Sequence, residues 1–564
     1  MKLKDSQIAA RISTSPRFSD WRNKVHRLRR LTAGDITALD QGLGGGSQES
    51  NMAPLAKGVG VSELYDILVL DIEEGRTNKL LQSVRTLVFQ VSLVFPDVEF
   101  EDVDAQLAAI NSLYVKDRAR RCALRKHRRI ALTDYLIGGI GATFAGVRDG
   151  FPFIEAVDTL DLTWDLTAPT FDELRWCSRI VRRPLGEWLD DLDAKPASRL
   201  LRHLGRNRHE SVNDDMIVPL ACYYDAHGEQ GNEAKFYVAD EGGGGVSEDM
   251  LVERVANPYG EYSSGERRVC LPFNFTSYVA VPSVRNPISA VEQMLPAQIA
   301  IWKTDRLVRD TLDIGAPARE MEEDAYTAES LDEWKEDSTT VLVRKQGRQP
   351  LIQSAALDVP ARAMEYRQIN EQELVAQSGA NPYASGNAVK GVKYAAEVNA
   401  IQGNAGLVAA TIAKDEAAAW AADIGKLLSN GKDYDDEPIT LRLRDGDDIL
   451  ELVFDESDPI RGYLRPDGQI VVSEDTLIYQ PRDQKMARAG ADIEIGLQLA
   501  PIFPGYLKKA VEEYLRASGK KNIGDYLAAP EPQMGMDPMM MGGDPSQMPQ
   551  DEASMAAMAS TFGA

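Results

Sequence analysis

The chain has 564 residues, of which 43% are apolar and 27% charged, an ordinary globular composition that excludes a chain without a core. That length predicts about three or four domain-sized units. The formal net charge is −24, whereas proteins that grip nucleic acid normally carry a basic face, because phosphate contacts dominate affinity. The composition therefore excludes tight, non-specific DNA binding by the whole surface and leaves open weak contact through a local patch.

The cysteines and the hydropathy pattern carry no targeting or metal signal. None of the four cysteines belongs to a CxxC pair, so we expect free buried thiols in a reducing cytoplasm. The first residues lack a basic region followed by an apolar core, and no run of about 18 apolar residues occurs, so we expect neither a signal peptide nor a membrane span. The cysteines are Cys122, Cys177, Cys222 and Cys270.

The N-terminal quarter of the chain holds two basic stretches. Residues 1–60 combine one of them with a glycine-rich stretch and are predicted to form an arm and a flexible joint. Residues 61–147 look mainly helical and include the other, over residues 116–129. This second stretch is either a solvated helix face paired with the abundant acids or a contact with another subunit or nucleic acid. Its basic residues are Lys116, Arg118, Arg120, Arg121, Arg125, Lys126, Arg128 and Arg129.

The middle of the chain alternates between strand and helix signals. Residues 148–170 suggest short strands and turns, residues 171–193 a helix, and residues 215–284 several strands. Asn286-Pro287 predicts the start of a helix, since Asn suits the N-cap and Pro the first helical position. Pro296 should kink that helix near its beginning.

Next come a compact insert, a helix, a loop and a long helix. The second helix, over residues 362–378, should stop at Gly379, a natural C-terminal cap. A polar, glycine-bearing loop precedes a long helix over residues 394–429. Gly403 and Gly406 lie inside this helix and should each cost about 1 kcal/mol relative to Ala, which suggests a bend or a close backbone contact there.

The C-terminal part begins with strands and ends in low complexity. Asp445-Gly446 and Asp467-Gly468 predict hairpin turns within residues 438–481. Residues 483–530 look helical, and residues 531–564, with eight of the 16 methionines, should be disordered because their composition cannot build a core.

No catalytic or metal-binding constellation emerges from the sequence. HExxH, GxSxG and phosphate-loop patterns are absent from it, and the six-residue spacing of His203 and His209 does not place both on one helix face. Acidic pairs such as Asp190-Asp191, Asp435-Asp436 and Asp447-Asp448 are compatible with magnesium, as in nucleases, but equally with solvated loop charge. We expect no enzyme, no cofactor and no bound metal.

The order of elements between residues 286 and 430 resembles the portal proteins of podovirus-like and related tailed bacteriophages. A helix with several basic residues leads to a small insert, a second helix, a glycine-containing loop and a helix that starts Lys393-Tyr394-Ala395-Ala396-Glu397-Val398. The earlier ALTDYLIGGIGATFAGV segment, residues 131–147, is similar to the family's Gly-x-Gly segment. The family's two threonines are replaced here by Tyr394 and Ala396.

The resemblance implies an α+β portal fold and a ring of subunits at one capsid vertex in the virion, assembled in the host bacterial cytoplasm. Its wing, stem and crown would be mainly helical, with β-rich wing segments and a small α/β clip. The implied parts are an N-terminal arm and linker (1–60), wing (61–285), stem helix 1 (286–315), clip (316–361), stem helix 2 (362–379), tunnel loop (380–393), kinked wing helix and wing strands (394–482), crown (483–530) and disordered Met-rich tail (531–564).

The resemblance also implies partners and site residues. The ring, normally of about twelve copies, would pass phage double-stranded DNA and contact terminase, major capsid and scaffolding proteins, and later adaptor or tail proteins, without a membrane. Another virion ring protein, such as an adaptor or tail tube, and a metal-dependent packaging nuclease are the alternatives. Residues expected to face DNA in the channel are Lys390, Lys393, Asn387, Lys303, Arg306 and Arg309. Residues expected to dock the motor or adaptor are Glu329, Trp334, Lys335 and Arg344.

Overall fold

The computed structural model describes most of the chain in ranges separated by gaps. These are residues 4–13, 16–33, 79–91, 95–205, 215–226, 232–239, 246–263, 265–278, 287–314, 319–320, 327, 345–346, 352–353, 361–378, 395–445, 448–455, 457–473, 477, 482–499 and positions between 507 and 518. Of the confidently placed residues, 54% are helical and 25% lie in strands, which confirms the mixed α+β class. The chain divides into two compact units, not three or four: Met1–Asp445 with Ile449–Tyr479, and Gly446–Asp448 with Gln480–Ala564.

A helical core fills much of the first unit. Its side chains come from the second N-terminal helix, from three helices before residue 140 and from two later long helices, and Leu28, Tyr114, Leu136, Trp302 and Trp420 are among the buried ones. The early helices are α1 (Asp5–Ile12), α2 (Pro16–Ala33), α3 (Lys79–Val91), α4 (Ala105–Arg121) and α5 (Leu124–Gly138). The sequence predicts an arm over residues 1–60, but Ile8, Trp21 and Val25 are buried. Helices α1 and α2 are therefore part of the packed body, because their apolar faces close the cores beneath them.

Two antiparallel sheets form a second, aromatic-rich core. The larger has strand order β4-β5-β6-β7-β8 and the smaller β11-β2-β3. Their strands are β2 (Ile140–Arg148), β3 (Phe151–Ala156), β4 (Leu162–Trp164), β5 (Trp176–Pro184), β6 (Ile217–Asp225), β7 (Glu233–Val238), β8 (Leu251–Ala256) and β11 (Phe273–Ser277). Phe144, Trp164, Tyr224 and Phe273 meet in this core. The strands predicted within residues 148–170 and 215–284 are confirmed.

The helix predicted over residues 171–193 is largely wrong, because strand β5 lies within this range. Trp176–Pro184 lies between β4 and β6 in the sheet, and only Leu185–Asp191 is helical, as α6. Three arginines in this strand conceal its extended pattern. Arg179 is buried because Glu155 accepts a hydrogen bond from it at 2.6 Å and the ring of Phe144 lies 3.5 Å from its guanidinium, a cation–π contact.

The 131–147 segment, at the end of the region predicted as mainly helical, is half helix and half strand. Helix α5 stops at Gly138, and Gly139 caps it in the left-handed region with φ of 84°. A Cβ at Gly139 would lie 2.7 Å from the carbonyl oxygen of Ile288. Both the turn and the close approach therefore require glycine here.

Helix α8 (Ala290–Ile314) begins three residues after Pro287, later than Asn286-Pro287 predicts. Ser289 is the cap: its Oγ accepts the backbone N–H of Glu292 at 3.0 Å, and its own N–H is donated to the Glu292 carboxylate at 3.4 Å. This reciprocal pair is a capping box, a stronger start signal than Asn-Pro. Asn286 lies outside the described residues. Pro296 lies within the helix as predicted.

Two of the remaining helices follow the predicted order, and a third, over residues 194–203, is not predicted from the sequence. Helix α7 (Ala194–His203) precedes β6; α9 (Ala361–Ser378) is confirmed almost to the residue, and α10 (Ala395–Tyr434) runs 40 residues without interruption through Gly403 and Gly406. The second unit contains α11 (Arg482–Leu499), within the region predicted as helical.

The short strands form two-stranded ladders. They are β1 (Val98–Glu101), β9 (Gly260–Ser263), β10 (Glu266–Val269), β12 (Arg319–Glu320), β13 (Ile352–Gln353), β14 (Ile439–Asp445), β15 (Asp448–Phe454) and β16 (Gln469–Val472). Strands β14 and β15 pair on either side of Gly446, as predicted. The hairpin predicted at Asp467-Gly468 is wrong, because β16 pairs with the distant β1.

Candidate functional site

The residues predicted to line a DNA channel are only partly described. Lys303 lies in α8 and is half-buried. Arg306 and Arg309 lie on the same helix, with side chains outside the described set. Lys390, Lys393 and Asn387 lie outside the described residues, as do the predicted docking residues Glu329, Trp334, Lys335 and Arg344.

Helices α8 and α9 form a packed pair on either side of the insert. Ala297, Ile301 and Leu374 make a small buried cluster between them. Arg367 of α9 forms an ion pair with Asp305 of α8, and its Nη1 also bonds Glu371 at 2.5 Å. Apolar contacts therefore hold helices α8 and α9 together at one position along their length, and an ion pair holds them together at another.

The insert begins and ends at one place. Strand β12 follows α8, β13 precedes α9, and the two pair antiparallel through Arg319 with Gln353 and Glu320 with Ile352. The short ladder therefore joins the two ends of the predicted clip. Residues 329–344 of the insert lie outside the described residues.

Helix α9 exposes apolar side chains on more than one side. Tyr366 is 54% and Ile369 58% exposed, and Met364 is also exposed. The face that packs inward carries Asn370 and Leu374. At about 100° per residue, Met364 and Tyr366 lie about 80° to opposite sides of Leu374. Exposed apolar side chains therefore lie on two flanks of α9.

A row of buried charges fastens the second half of α10 to the rest of the first unit. Arg128 of α5 donates to Glu416 at 2.9 and 2.6 Å and to Asp423 at 3.3 Å. Thr143 Oγ1 on β2 and Asn274 Nδ2 on β11 both donate to Asp423, at 2.6 and 2.5 Å. One carboxylate on α10 therefore ties a helix and two strands together.

Two further contacts extend the row along α10. The ammonium of Lys426 donates to the carbonyl oxygens of Leu271 and Phe273, at 2.8 and 2.6 Å. The hydroxyl of Tyr135 donates to Asp415 at 2.6 Å. We call the acidic and basic α10 residues Asp415, Glu416, Asp423 and Lys426, with their partners, the α10 anchor.

Burial and pairing shift the ionisation of the α10 anchor. Burial raises the pKa of the Glu416 carboxyl, and Arg128 opposes that shift. Burial acts to lower the pKa of Arg128, but the charges of Glu416 and Asp423 outweigh it and raise the pKa. Arg128 is therefore a permanent buried cation whose charge must be met by these carboxylates.

A second buried group lies just beyond the end of α10. Arg118 is fully buried and binds Asp435 at 2.8 Å and Glu437 at 2.6 Å, and the Tyr114 hydroxyl donates to Asp435 at 2.6 Å. A Cβ at Gly431 would lie 2.2 Å from that hydroxyl. Asp435, considered above as part of an acidic pair, is therefore bound to a structural arginine.

The basic stretch over residues 116–129 divides into three sets. Arg118 and Arg128 are buried and paired with acids, and the exposed Arg121 pairs with Asp117 and Glu437. The other five cations are exposed and line an open cavity of about 1070 Å³. The cavity, which we call the basic groove, is lined by Lys116, Arg120, Arg125, Lys126 and Arg129. Its apolar lining is Val88, Phe95, Pro96, Ala119, Ala123 and Ile130. Pairing with acids thus applies to Arg118, Arg121 and Arg128, and contact of the other cations with a subunit or nucleic acid stays a prediction.

The cysteines and the metal-ligating side chains of the described residues do not cluster. No group of three or more His, Cys, Asp or Glu side chains there could hold a metal ion. All four cysteines are free; Cys177 and Cys222 are buried, and Cys122 and Cys270 only half-buried. Burial raises the pKa of Cys222 to about 11 and that of Cys270 to about 12, so these thiols stay protonated at neutral pH.

Comparison with protein-family models and with curated proteins finds no match to this sequence. Among the described helices, none is both long and apolar enough to cross a membrane. Function must therefore be argued from the α8–insert–α9 arrangement, the α10 anchor and the basic groove.

Proposed function

We propose that this protein is the portal subunit of a tailed bacteriophage, which forms the ring at one capsid vertex through which the genome is packaged and ejected. The observation that carries the proposal is the order of α8, insert, α9 and α10, with α8 packed on α9 and α10 fastened to the sheets. In a portal these would be the two stem helices, the clip and the long wing helix. Terminase, and later adaptor or tail proteins, would dock at the clip.

The ladder of β12 and β13 supports this assignment. A docking module must be carried at a defined place on the stem, and pairing of Arg319 with Gln353 brings the start and end of the insert together. The insert then leaves and rejoins the pair of helices α8 and α9 at the same place. We assign motor and adaptor docking within it to Glu329, Trp334, Lys335 and Arg344.

The exposed apolar side chains of α9 support ring formation. A ring needs a heterologous contact, in which each subunit presents two different surfaces to its two neighbours. Met364 lies on one flank of α9 and Tyr366 on the other. Burial of each between adjacent stems would contribute about 1.5–3 kcal/mol per large apolar side chain.

The α10 anchor supports a load-bearing role. A conduit that moves DNA into a filled capsid must transmit force from its stem to its body without local unfolding. The carboxylate of Asp423, bonded at once to Arg128, Thr143 and Asn274, cross-links three elements to α10. Charge networks of this kind resist separation, because a broken partner leaves an unpaired buried charge.

The acidic balance of the chain supports a passage through which DNA slides. A net charge of −24 repels the duplex, so any contact must come from a few cations. We assign that contact to Lys390, Lys393 and Asn387 of the tunnel loop and to Lys303, Arg306 and Arg309 of α8. Ring symmetry repeats each charge in every subunit, so one lysine becomes a ring of lysines.

Electron microscopy of the purified full chain tests the proposal directly. We expect closed rings of about twelve subunits with a central channel.

The double substitution Tyr366→Glu and Ile369→Glu should convert rings to monomers in size-exclusion chromatography with light scattering. Val453→Glu is the matched control, since Val453 of β15 is 64% exposed and should leave rings intact. A wild-type chain that stays monomeric, or that cleaves DNA with added Mg²⁺, would contradict the proposal.

A second experiment tests the loop. Deletion of residues 383–391 should leave ring assembly unchanged and reduce the amount of DNA packaged or retained in particles. Normal packaging by the deletion variant would argue against a tunnel role for this segment.

A further inference from the structure

The basic groove concentrates positive charge on an otherwise acidic protein. Five cations line it, and the described lining contains a single carboxylate, Asp97. Lys116, Arg125, Lys126 and Arg129 are exposed and form no ion pair with a residue that the structure describes, whereas Arg120 pairs with Asp117 at 2.8 Å. Unpaired cations gathered around one cavity attract an anionic partner.

The groove also has an apolar lining, which restricts the kind of partner. Phe95, Ala119 and Ile130 line it, and Ile130 is 43% exposed. A nucleic-acid backbone would use the cations but would gain nothing from this surface, because phosphate and sugar are polar. A partner with one apolar face and flanking acids would use both.

The spacing of the cations matches a helix. Lys116 and Arg120 lie four residues apart on α4, and Arg125 and Arg129 four apart on α5, so each pair is separated by about 6 Å along its helix axis. Acids at i and i+4 of an amphipathic partner helix have the same separation of about 6 Å, and its apolar residues at i+2 and i+6 point to another face.

We propose that the basic groove binds an acidic amphipathic helix supplied by another protein. Lys116, Arg120, Arg125 and Arg129 pair with its acids, and Ile130 packs against its apolar face. This is helix-in-groove recognition with charge selection at the rims. The proposal goes beyond the portal function and stands on the groove alone, so it holds or fails whether or not the chain forms a ring.

Fluorescence anisotropy with the full chain tests the charges. The probe is a fluorescein-labelled synthetic peptide with Glu at i and i+4 on one face and Leu on the opposite face. The triple substitution Lys116→Gln, Arg125→Gln and Arg129→Gln should weaken binding on the order of tenfold, as expected for loss of three exposed charge contacts. Binding to wild-type protein should also weaken as salt is added.

The matched control removes three positive charges elsewhere: Lys4→Gln, Lys195→Gln and Arg202→Gln, all at exposed positions outside the groove. It should bind the peptide like the wild type, and thermal melts of both triple variants should match the wild type. Failure of the peptide to bind wild-type protein, or equal affinity for both triple variants, would overturn the proposal.

The substitution Ile130→Asn distinguishes an acidic helix from nucleic acid as the ligand of the basic groove. The same measurements are made with a fluorescein-labelled duplex DNA. Ile130→Asn should weaken peptide binding severalfold, because apolar contact at the groove is lost. Three results together would overturn the proposal and assign the groove to nucleic acid. Duplex DNA would have to bind more tightly than the peptide, bind more weakly to the groove triple variant, and bind equally well to the Ile130→Asn variant.

Discussion

The guanidinium of Arg128 on α5 and the carboxylate of Glu416 on α10 form a two-point ion pair with both side chains 2% exposed. Nε bonds Oε1 at 2.9 Å and Nη2 bonds Oε2 at 2.6 Å. Such parallel hydrogen bonds fix direction as well as distance. The long helix that follows the proposed tunnel loop is therefore held in register with a helix 288 residues earlier.

Glu416→Gln should destabilise the protein by about 3–5 kcal/mol, because it leaves the buried cation of Arg128 with only part of its counter-charge. The double variant Arg128→Met and Glu416→Met should recover much of that loss, since it buries no charge at all. Urea unfolding monitored by circular dichroism measures both. Glu451→Gln is the control: its pair with Arg442 is exposed, and we expect no more than about 0.5 kcal/mol. A Gln variant as stable as the wild type would contradict the role of the α10 anchor.

Gly431→Ala should destabilise the protein by about 2 kcal/mol or more, because its Cβ would lie 2.2 Å from the Tyr114 hydroxyl and displace it from Asp435. Burial and the adjacent carboxylate raise the pKa of Tyr114 well above the ordinary value. The hydroxyl therefore cannot ionise to relieve its contact with the added Cβ. Gly462→Ala is the matched control, with nothing within 4 Å of its Cβ. Equal melting temperatures of the two variants would contradict the close packing.

Local signals in the sequence predicted several elements well. The end of α9 at Ser378 follows from Gly379, a C-terminal cap immediately after the helix. The sequence predicts a helix over residues 171–193, where β5 lies. Arg179 is tolerated there only because Glu155 and Phe144 come from other strands, and such partners are invisible to a local pattern.

The site was harder to predict, for the same reason. Arg128 and Glu416 are far apart in sequence, and no spacing rule joins them. One signal was present: Arg128 lies four residues from both Leu124 and Leu132, which are buried, so helical periodicity places it on the inward face of α5. The same rule separates it from Lys126 and Arg129, whose side chains line the basic groove.

Ser289→Ala should destabilise the protein by about 1 kcal/mol, because it removes the acceptor for the Glu292 backbone N–H at the start of α8. Glu292→Gln keeps the reciprocal capping bond but loses the ion pair with Lys24 at 2.8 Å, so it should cost less than about 1 kcal/mol. Thermal unfolding of the two variants beside the wild type measures the difference. A larger loss in Glu292→Gln would show that the ion pair outweighs the cap.

Asp134 should make stability depend on pH in the mildly acidic range. It lies 2.9 Å from Arg29, yet its pKa is raised to about 6, because burial and the nearby negative charge of Asp158 outweigh the effect of Arg29. Asp158 also accepts two hydrogen bonds from the same guanidinium. The folded protein thus binds this proton more tightly than the unfolded chain does. The free energy of unfolding must then decrease as pH rises from about 4 to about 6, by about 3 kcal/mol for a shift of about two pKa units.

Asp134→Asn isolates this effect, because it leaves the other titrating groups in place. Relative to the wild type, the variant should gain up to about 3 kcal/mol of stability between pH 4 and pH 7, measured by urea unfolding at each pH. Asp158→Asn should behave in the opposite sense: the contact with Arg29 lowers the pKa of Asp158 against the effect of burial. Its contribution is present above about pH 4 and lost in stronger acid, so this variant should be destabilised at pH 7 and less so at pH 3. The free energies of unfolding of Asp134→Asn and the wild type could instead differ by the same amount at every pH. That result would mean that Arg29 stabilises the carboxylates of Asp134 and Asp158 equally.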